Sequence, residues 1–306
     1  MGYIYKTGKF NDNTWLIDAI YLNKEGIQSR NGHATYLIQT ESGANCLINS
    51  GSRSGASTVY ETLKKFGAWP LQKLILTHSH WDHTQGVITL REKVEEEGLA
   101  PIEIFASEKA IPNLEDQSYN VCFEDEPYYS DYLNIEGVSP LKDKEKLFLD
   151  DDFYLEIIET PGHMPDHISI FDEKNKCAFV GDAPGMRWFT NFFVCNANSV
   201  YWQEKDYLES IEKMRSLDLD YLCIAHFGVF TDSDIKRFLD NSVSMYNTWM
   251  DIFNQNNEKL NDLKFLLDLI WDTVYKDFSS MPVLKISLES VVKNALNYYK
   301  GLQNIN

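Results

Sequence analysis

The sequence has few basic residues and no long apolar run. Its 28 lysines and arginines stand against 46 aspartates and glutamates, which gives a formal net charge of −18 at pH 7. Because nucleic-acid binding depends on clustered lysine and arginine, this balance argues against a nucleic-acid partner. No apolar stretch reaches the length of a membrane span, so a membrane partner is not expected either.

The sequence also lacks paired cysteines. Its five cysteines are scattered and form no CxxC motif. An odd, dispersed set is typical of reduced cysteines in a protein core and not of a disulfide framework or a cysteine-based zinc site. The first residues, MGYIYKTGKFNDNTW, lack the basic and apolar segments of a signal peptide. We therefore expect a cytoplasmic protein.

Hydrophobic residues make up 43% of the chain, as in ordinary globular proteins. Strand-like runs such as ATYLIQT, KLILTHSH and IEIFAS alternate with amphipathic helical segments over residues 1–232. From residue 233 onward the apolar spacing is almost continuously helical. This pattern predicts an α/β (α+β) domain over residues 1–232 and a helical extension over residues 233–306.

Histidine is scarce, with 7 in 306 residues, yet three histidines and an aspartate lie within the stretch THSHWDHTQG. His78 and His80 alternate along an extended segment, so both side chains can point the same way. Asp82 and His83 follow at the next turn. Imidazole nitrogens and carboxylate oxygens are the ligands expected for zinc, iron or manganese. One short segment can therefore offer ligands to two neighbouring metals.

Three further candidate ligands follow strand-like runs: His163 in ETPGH, Asp182 in FVGDA and His226 in CIAHFG. Because strand ends converge on one edge of a sheet, we expect these side chains to complete the cluster. Two histidines remain. His33 is expected to be an ordinary core residue, whereas for His167 a core position and a role in supporting a ligand are equally expected.

The motifs HSHWDH, TPGH, VGD and AHFG, in this order, resemble those of the metallo-β-lactamase superfamily. The resemblance covers most of residues 1–232, the expected catalytic domain. It implies a four-layer αββα sandwich of two mixed sheets flanked by helices, followed here by the C-terminal helical extension. It further implies two metal positions that share one bridging carboxylate, Asp182. The first position would use His78, His80 and His163, and the second Asp82, His83 and His226.

Two metals so placed are expected to share a bridging hydroxide, because metal binding lowers the pKa of water to near neutrality. This hydroxide would attack a carbonyl or phosphoryl centre whose developing charge the metals stabilise. Asp82 is the candidate catalytic residue, because it can also orient the nucleophile and help move its proton. The resemblance thus implies a metal-dependent hydrolase with two divalent ions, zinc first and iron or manganese as alternatives, and no organic cofactor.

Departures from the family patterns exclude several branches of the metallo-β-lactamase superfamily as the ones that this chain resembles. Diiron flavoprotein relatives have glutamate where this chain has His80, and β-lactamases generally lack an aspartate at the position of Asp182. Lactonases place a tyrosine where this chain has Gly185, and nucleases with a large insertion before the bridging aspartate do not fit. The remaining resemblance is to glyoxalase-II-like thioesterases and quinolone-signal-response esterases with C-terminal helices. Asn49 replaces the aspartate that relatives usually have in LINSG, and two effects are open: a retuned metal, or the exchange of one hydrogen-bonding partner for another.

The stretch PGMRWFTNFF, directly after Asp182, predicts an apolar lid over the metals. Arg187 is the candidate for reading an anionic group of the substrate. Packing against the C-terminal helices is an equally expected fate for the apolar members. The candidate pocket residues are Met186, Arg187, Trp188, Phe189, Phe192 and Phe193.

Three functions follow from these residues. The first is hydrolysis of a small ester, thioester or lactone. The second is hydrolysis of a phosphodiester by the same metals, which we rank lower because Arg187 is the one basic residue found close to a ligand in the sequence. The third is a regulatory or ligand-binding protein whose helices occlude the metals. A small-molecule substrate and a homodimer formed through the C-terminal helices are the expected partners.

Overall fold

The computed structural model describes residues 2–22, 28–29, 32–118, 132–188, 192–197, 199–278 and 282–305. In chain order the strands are β1 (Tyr3–Ile4), β2 (Gly8–Lys9), β3 (Thr14–Asp18), β4 (Tyr21–Leu22), β5 (Gln28–Ser29), β6 (Ala34–Gln39), β7 (Asn45–Ile48), β8 (Lys73–Leu76), β9 (Glu103–Ser107), β10 (Val138–Leu141), β11 (Lys146–Asp150), β12 (Phe153–Glu159), β13 (Ile168–Asp172), β14 (Cys177–Gly181), β15 (Met186–Trp188), β16 (Phe192–Val194), β17 (Tyr221–Ile224) and β18 (Gly228–Thr231). The helices are α1 (Ala56–Lys65), α2 (Trp81–Thr84), α3 (Gly86–Glu96), α4 (Ile111–Glu115), α5 (Glu204–Ser216), α6 (Ser233–Gln255), α7 (Leu263–Val274) and α8 (Pro282–Ile305).

Fourteen of these strands form two mixed sheets of seven strands each. The first sheet has the order β10-β9-β8-β7-β6-β3-β2, and β7 to β10 are parallel neighbours. The second sheet has the order β1-β18-β17-β14-β13-β12-β11, in which β14 and β17 are parallel. The strands β15 and β16 form a separate antiparallel hairpin.

The layers follow from where the apolar side chains lie. Many strand residues are apolar on both faces, because each sheet is covered on both sides. One core lies between the sheets and includes Ile38, Ile75 and Phe179. A second core packs α1 and α3 on the outer face of the first sheet. The third covers the outer face of the second sheet with α5 and the C-terminal helices. The four-layer αββα sandwich predicted from the sequence is confirmed.

The C-terminal extension is helical, as predicted, and α6 begins at Ser233. Its three helices share one core with the second sheet, in which Phe238, Trp249 and Leu288 pack with Val180 and Leu222. The division into two domains at residue 232 stays a prediction. No helix within the described ranges is long and apolar enough to cross a membrane.

Local signals read from the sequence also mark real boundaries. The helix α1 ends just before Gly67, whose φ of +69° is the left-handed conformation that closes many helices.

Four cysteines are buried and free, namely Cys46, Cys177, Cys195 and Cys223. Cys122 lies outside the described residues.

Candidate metal centre

The segment after β8 carries the densest group of candidate ligands. The strand β8 lies between β7 and β9 in the first sheet, so its C-terminal end opens at the sheet edge. His78 follows it in a bend of the chain and His80 in extended backbone, and Asp82 and His83 lie on the short helix α2. The three histidines of this segment are buried. The structure thus places all four side chains at one edge, as the spacing predicts.

Three other strand ends bring the remaining candidates to the same place. Asp182 directly follows β14 and His226 follows its parallel neighbour β17, while His163 follows β12. The Nε2 atom of His163 lies 3.0 Å from Nδ1 of His80. The Oδ2 atom of Asp182 lies 3.2 Å from Nε2 of His226 and 3.6 Å from Nε2 of both His83 and His163.

The donor atoms form groups whose members lie within 4.8 Å of one another. One group is His78, His80, His163 and Asp182, and a second is His83, Asp182 and His226. Asp182 belongs to both groups. A third group adds His33 to Asp82 and His226. Close groups of nitrogen and oxygen donors with a carboxylate in common are the arrangement that two neighbouring cations require.

The hydrogen bonds of His78 leave its Nε2 atom available for a cation. The hydroxyl of Thr77 donates to Oδ1 of Asn49 at 3.1 Å, so it accepts from Nδ1 of His78 at 3.0 Å. The buried Nε2 of His78 and Oδ1 of Asp182 have no hydrogen-bond partner among the described residues. Because buried polar atoms are normally paired, these two atoms indicate that the site fits a bound cation.

His163 and His226 are oriented in the same manner. Nδ1 of His163 donates to the backbone carbonyl of Asn196, and Nδ1 of His226 donates to that of Gly32, each at 3.0 Å. Since a neutral imidazole carries one proton, the Nε2 atom of each ring has its lone pair directed into the cluster. Backbone acceptors of this kind set the tautomer of metal-binding histidines.

The charges of the cluster also suit a cation. Burial and the neighbouring imidazoles lower the pKa of His78 and His80 well below the usual value, so both rings are neutral. Burial raises the pKa of Asp182, but the nearby His226 and His83 outweigh it and hold that pKa well below the usual value. Burial lowers the pKa of His226, whereas the carboxylates of Asp182 and Asp82 raise it, to about 9. Without a cation, a proton on His226 thus balances part of the carboxylate charge.

Asn49 supports this arrangement without a charge. Its Oδ1 atom accepts from the backbone N–H of Thr77 at 2.9 Å as well as from the hydroxyl of Thr77. Its φ of +59° is a conformation in which asparagine is enriched. The amide oxygen therefore orients Thr77, and through it His78, with the two hydrogen bonds that a carboxylate oxygen could accept there.

His167 supports Asp182 through a hydrogen bond to its backbone. Its Nε2 atom accepts from the backbone N–H of Asp182 at 3.2 Å, and its Nδ1 atom bonds to the hydroxyl of Thr160 at 3.0 Å. Burial lowers the pKa of His167 to about 3, which keeps the ring neutral for this role. A Cβ atom at Gly181 would lie 2.5 Å from Nε2 of His167, so a glycine is needed there. Of the two roles expected for His167, a core position and the support of a ligand, these contacts agree with the support of a ligand.

His33 is a site residue that the sequence reasoning missed. The structure places its Nε2 atom 3.0 Å from Oδ2 of Asp82, although an ordinary core position was expected. All seven histidines of the chain therefore contribute to this one site. The low number of histidines was the signal that could have identified His33, because in a chain with so few histidines each one is a candidate for the same site.

The predicted substrate pocket is only partly described. Met186 and Phe192 are buried in the core shared with the C-terminal helices, and the Phe192 ring stacks on Tyr275 with centroids 4.4 Å apart. Phe193 packs against the same core. These three residues thus follow the alternative expectation, packing against helices. Phe189 and the side chain of Trp188 lie outside the described residues.

Arg187 does not reach into the cluster. Its guanidinium lies over the ring of Tyr3, 3.5 Å from the ring centroid, and within 5.5 Å of the rings of Phe193 and Phe230. Only its backbone touches the site, through the N–H that donates to the carbonyl of His226 at 3.1 Å. Cation–π stacking thus directs the side chain towards aromatic rings of the core, and the expectation that Arg187 reads an anionic substrate group stays a prediction.

Comparisons with known proteins agree with this geometry. The family model described as "Metallo-beta-lactamase superfamily" matches residues 29–226. A curated relative, the hydroxyacylglutathione hydrolase GloC of Haemophilus influenzae, is 26% identical over 168 residues, which are 53% of this chain and 70% of GloC.

Solved structures show the same fold at low identity. A metallo-beta-lactamase family protein from Thermus thermophilus has a TM-score of 0.60 and 16% identity, over 95% of this chain and 94% of that protein. A variant flavo di-iron protein from Thermotoga maritima has a TM-score of 0.58 and 20% identity, over 79% of this chain and 62% of that protein. The likeness to the Thermus protein extends over nearly the whole chain, including the C-terminal helices.

Proposed function

This chain belongs to the metallo-β-lactamase superfamily and is a metal-dependent hydrolase, and we propose that it uses two divalent ions to hydrolyse a small thioester, ester or lactone. The observation that carries the proposal is the position of Asp182, whose Oδ2 atom lies within 3.6 Å of three imidazole nitrogens from three separate segments of the chain. A carboxylate so placed is suited to bridge two cations.

The donor groups support an assignment of each position. His78, His80 and His163 would hold the first ion, and Asp82, His83 and His226 the second, with Asp182 shared by both. Zinc is the first candidate, and iron and manganese accept the same ligands. Bound there, such ions supply Lewis acidity and activate water near neutral pH.

Asp82 is the proposed catalytic residue of the chain. Burial raises its pKa, but His83 and His33 outweigh this and lower it, so the carboxylate is ionised at neutral pH. Its side chain is about one-seventh exposed, at 14%, whereas that of Asp182 is only 4% exposed. Asp82 is thus the carboxylate nearer to solvent. Its Oδ2 atom is placed to orient an attacking water and to take up a proton from it.

Two observations favour carbonyl over phosphoryl substrates. The curated relative is named for hydrolysis of hydroxyacylglutathione, which makes a thioester the first class to test. Arg187, a basic residue five positions after Asp182, stacks its guanidinium on the ring of Tyr3, which occupies its charged end with an aromatic partner. A phosphodiester therefore ranks lower, as it did on sequence grounds.

The test is turnover of a thioester, an aryl ester, a lactone and a bis-aryl phosphodiester by one preparation. We expect activity on a carbonyl substrate that is lost with a chelator, restored by zinc, and reduced at least about 100-fold in Asp82→Asn. Asp172→Asn, at a buried carboxylate in the last position of β13, is the matched control. Turnover of the phosphodiester alone would refute the substrate class. Two bound ions without any turnover would favour the regulatory alternative.

A further inference from the structure

His33 lies among the donors of the second metal position, a place that neither the motif spacing nor the sequence order indicated. It precedes β6, and its ring centroid is 4.8 Å from that of His226 and 6.2 Å from that of His83. The Nε2 atom of His33 and donor atoms of Asp82 and His226 all lie within 4.8 Å of one another. These three residues come from three separate segments of the chain.

The backbone around His33 is held in place on both sides. The carbonyl of Gly32 accepts from Nδ1 of His226 at 3.0 Å, and the N–H of Ala34 donates to the carbonyl of Ala225 at 2.7 Å. The carbonyl of His33 itself accepts from the N–H of Ala19 at 3.0 Å. The imidazole is therefore presented to the cluster by a segment that is tied to the His226 loop. This is how a preorganised ligand position is built, and it is not the setting of a surface side chain.

The spacing of its nitrogen matches that of the other donors. Ligands bonded at about 2.1 Å to one cation lie roughly 3.0–3.4 Å apart when their bonds diverge by about 90–110°. His33 Nε2 lies 3.0 Å from Asp82 Oδ2, and His83 Nε2 lies 3.4 Å from the same oxygen. The pair His80 and His163, in the first donor group, has the same 3.0 Å separation.

We propose that His33 is a further ligand of the ion held by Asp82, His83 and His226. This inference rests on the proposed dinuclear site. Two donor groups that share His226 meet at this position, His33 with Asp82 and His83 with Asp182, so together they offer three imidazoles and two carboxylates, one donor more than the group around His78. A four-donor position suits tetrahedral zinc, whereas five protein donors suit an ion that accepts a higher coordination number, such as iron or manganese. The two positions therefore differ in their preferred metal.

The competing arrangement is a hydrogen bond from His33 to Asp82 without a bond to the ion. His33→Gln separates the two, because the glutamine amide can donate to Asp82 Oδ2 but is a poor ligand for these ions. Chelator-treated protein is titrated with Co(II), which absorbs visible light more strongly in four-coordinate than in five- or six-coordinate sites. Asp172→Asn is the matched control, since it alters another buried polar side chain, one that lies outside the three donor groups.

Wild-type protein should bind two Co(II) ions, one of which adds only weak absorption. In His33→Gln that ion should bind at least about 10-fold more weakly and absorb more strongly, while Asp172→Asn keeps the wild-type band intensities. An unchanged spectrum in His33→Gln would overturn the inference and leave the dinuclear function standing. Uptake of a single ion by wild-type protein would refute the dinuclear function, and His33 would then be judged by whether the spectrum of that ion changes.

A measurement on wild-type protein covers the case in which His33→Gln does not fold. In the di-Co(II) protein, the exchangeable imidazole N–H protons of ligating histidines shift far outside the normal proton NMR range. We expect six such signals, from His33 and the five histidines assigned to the two positions. Five signals would exclude His33 as a ligand.

Discussion

Replacement of Asp182 by asparagine tests whether one carboxylate joins the two metal positions. The asparagine side chain has nearly the same shape, so it fits a pocket in which Asp182 is only 3% exposed. What it removes is the negative charge facing His83, His163 and His226. We expect the content of tightly bound metal to fall from two ions per chain to one or none, because both positions lose their common anionic ligand.

The same substitution has a measurable effect on chelator-treated protein. The carboxylates of Asp182 and Asp82 overcome the effect of burial and raise the pKa of His226 to about 9. Relative to an ordinary histidine near 6.5, that is about 2.5 units, or on the order of 3 kcal/mol in favour of the charged ring. Asp182 is the largest favourable contributor. We therefore expect the pKa of His226 to fall by about 2 units or more in Asp182→Asn.

Metal content is measured by mass spectrometry on protein purified without added metal, and the pKa of His226 by proton NMR. Asp172→Asn replaces a buried carboxylate in the last position of β13, outside the donor groups, and should retain both ions. Two ions in Asp182→Asn would refute the shared ligand. A pKa of His226 that stays near 9 would show that Asp182 is not its main partner.

Two further predictions concern residues that support the site. The buried hydroxyl of Tyr36 lies 2.7 Å from the carbonyl of Ile224 and 2.8 Å from that of Gly228, on either side of His226. Tyr36→Phe should lower the free energy of unfolding in urea by about 1–3 kcal/mol, and a loss below about 0.5 kcal/mol would contradict this role. For His167, whose folded pKa of about 3 is below its unfolded value, the unfolded chain binds more protons as the pH falls. His167 should therefore contribute up to about 1.4 kcal/mol per pH unit to the decline in stability of the metal-free protein from about pH 6.5 towards pH 3. His167→Gln should show a shallower decline, and equal slopes would speak against it.

The sandwich and most of the cluster were predictable because they depend on local patterns. The spacing of His78 and His80 after an apolar run is enough to place both at a strand end. Asp182 and His226 also follow apolar runs, and parallel neighbours in a sheet release their C-terminal residues at the same edge. Short-range periodicity thus carried information about a long-range arrangement.

The stretch from Met186 to Phe193 shows where that information ends. Its apolar residues predict burial, but the periodicity of the sequence does not indicate the surface against which a side chain is buried. A side chain that lines a pocket and a side chain that packs on the C-terminal helices are both apolar, so the sequence is the same in either case. Only the tertiary contacts, such as the stacking of Phe192 on Tyr275 and of Arg187 on Tyr3, decide between them.

By itself, the sequence determined the chemistry of this protein, since the scarce histidines and two aspartates are the donor set for divalent cations. The tertiary structure decided the membership of each donor group. His33 enters the site because hydrogen bonds tie its segment, in the first sheet, to the His226 loop of the second sheet. Contacts between residues nearly two hundred positions apart cannot be predicted from the periodicity of the sequence. They form only when the two sheets pack, because each sheet must bury its apolar face against the other.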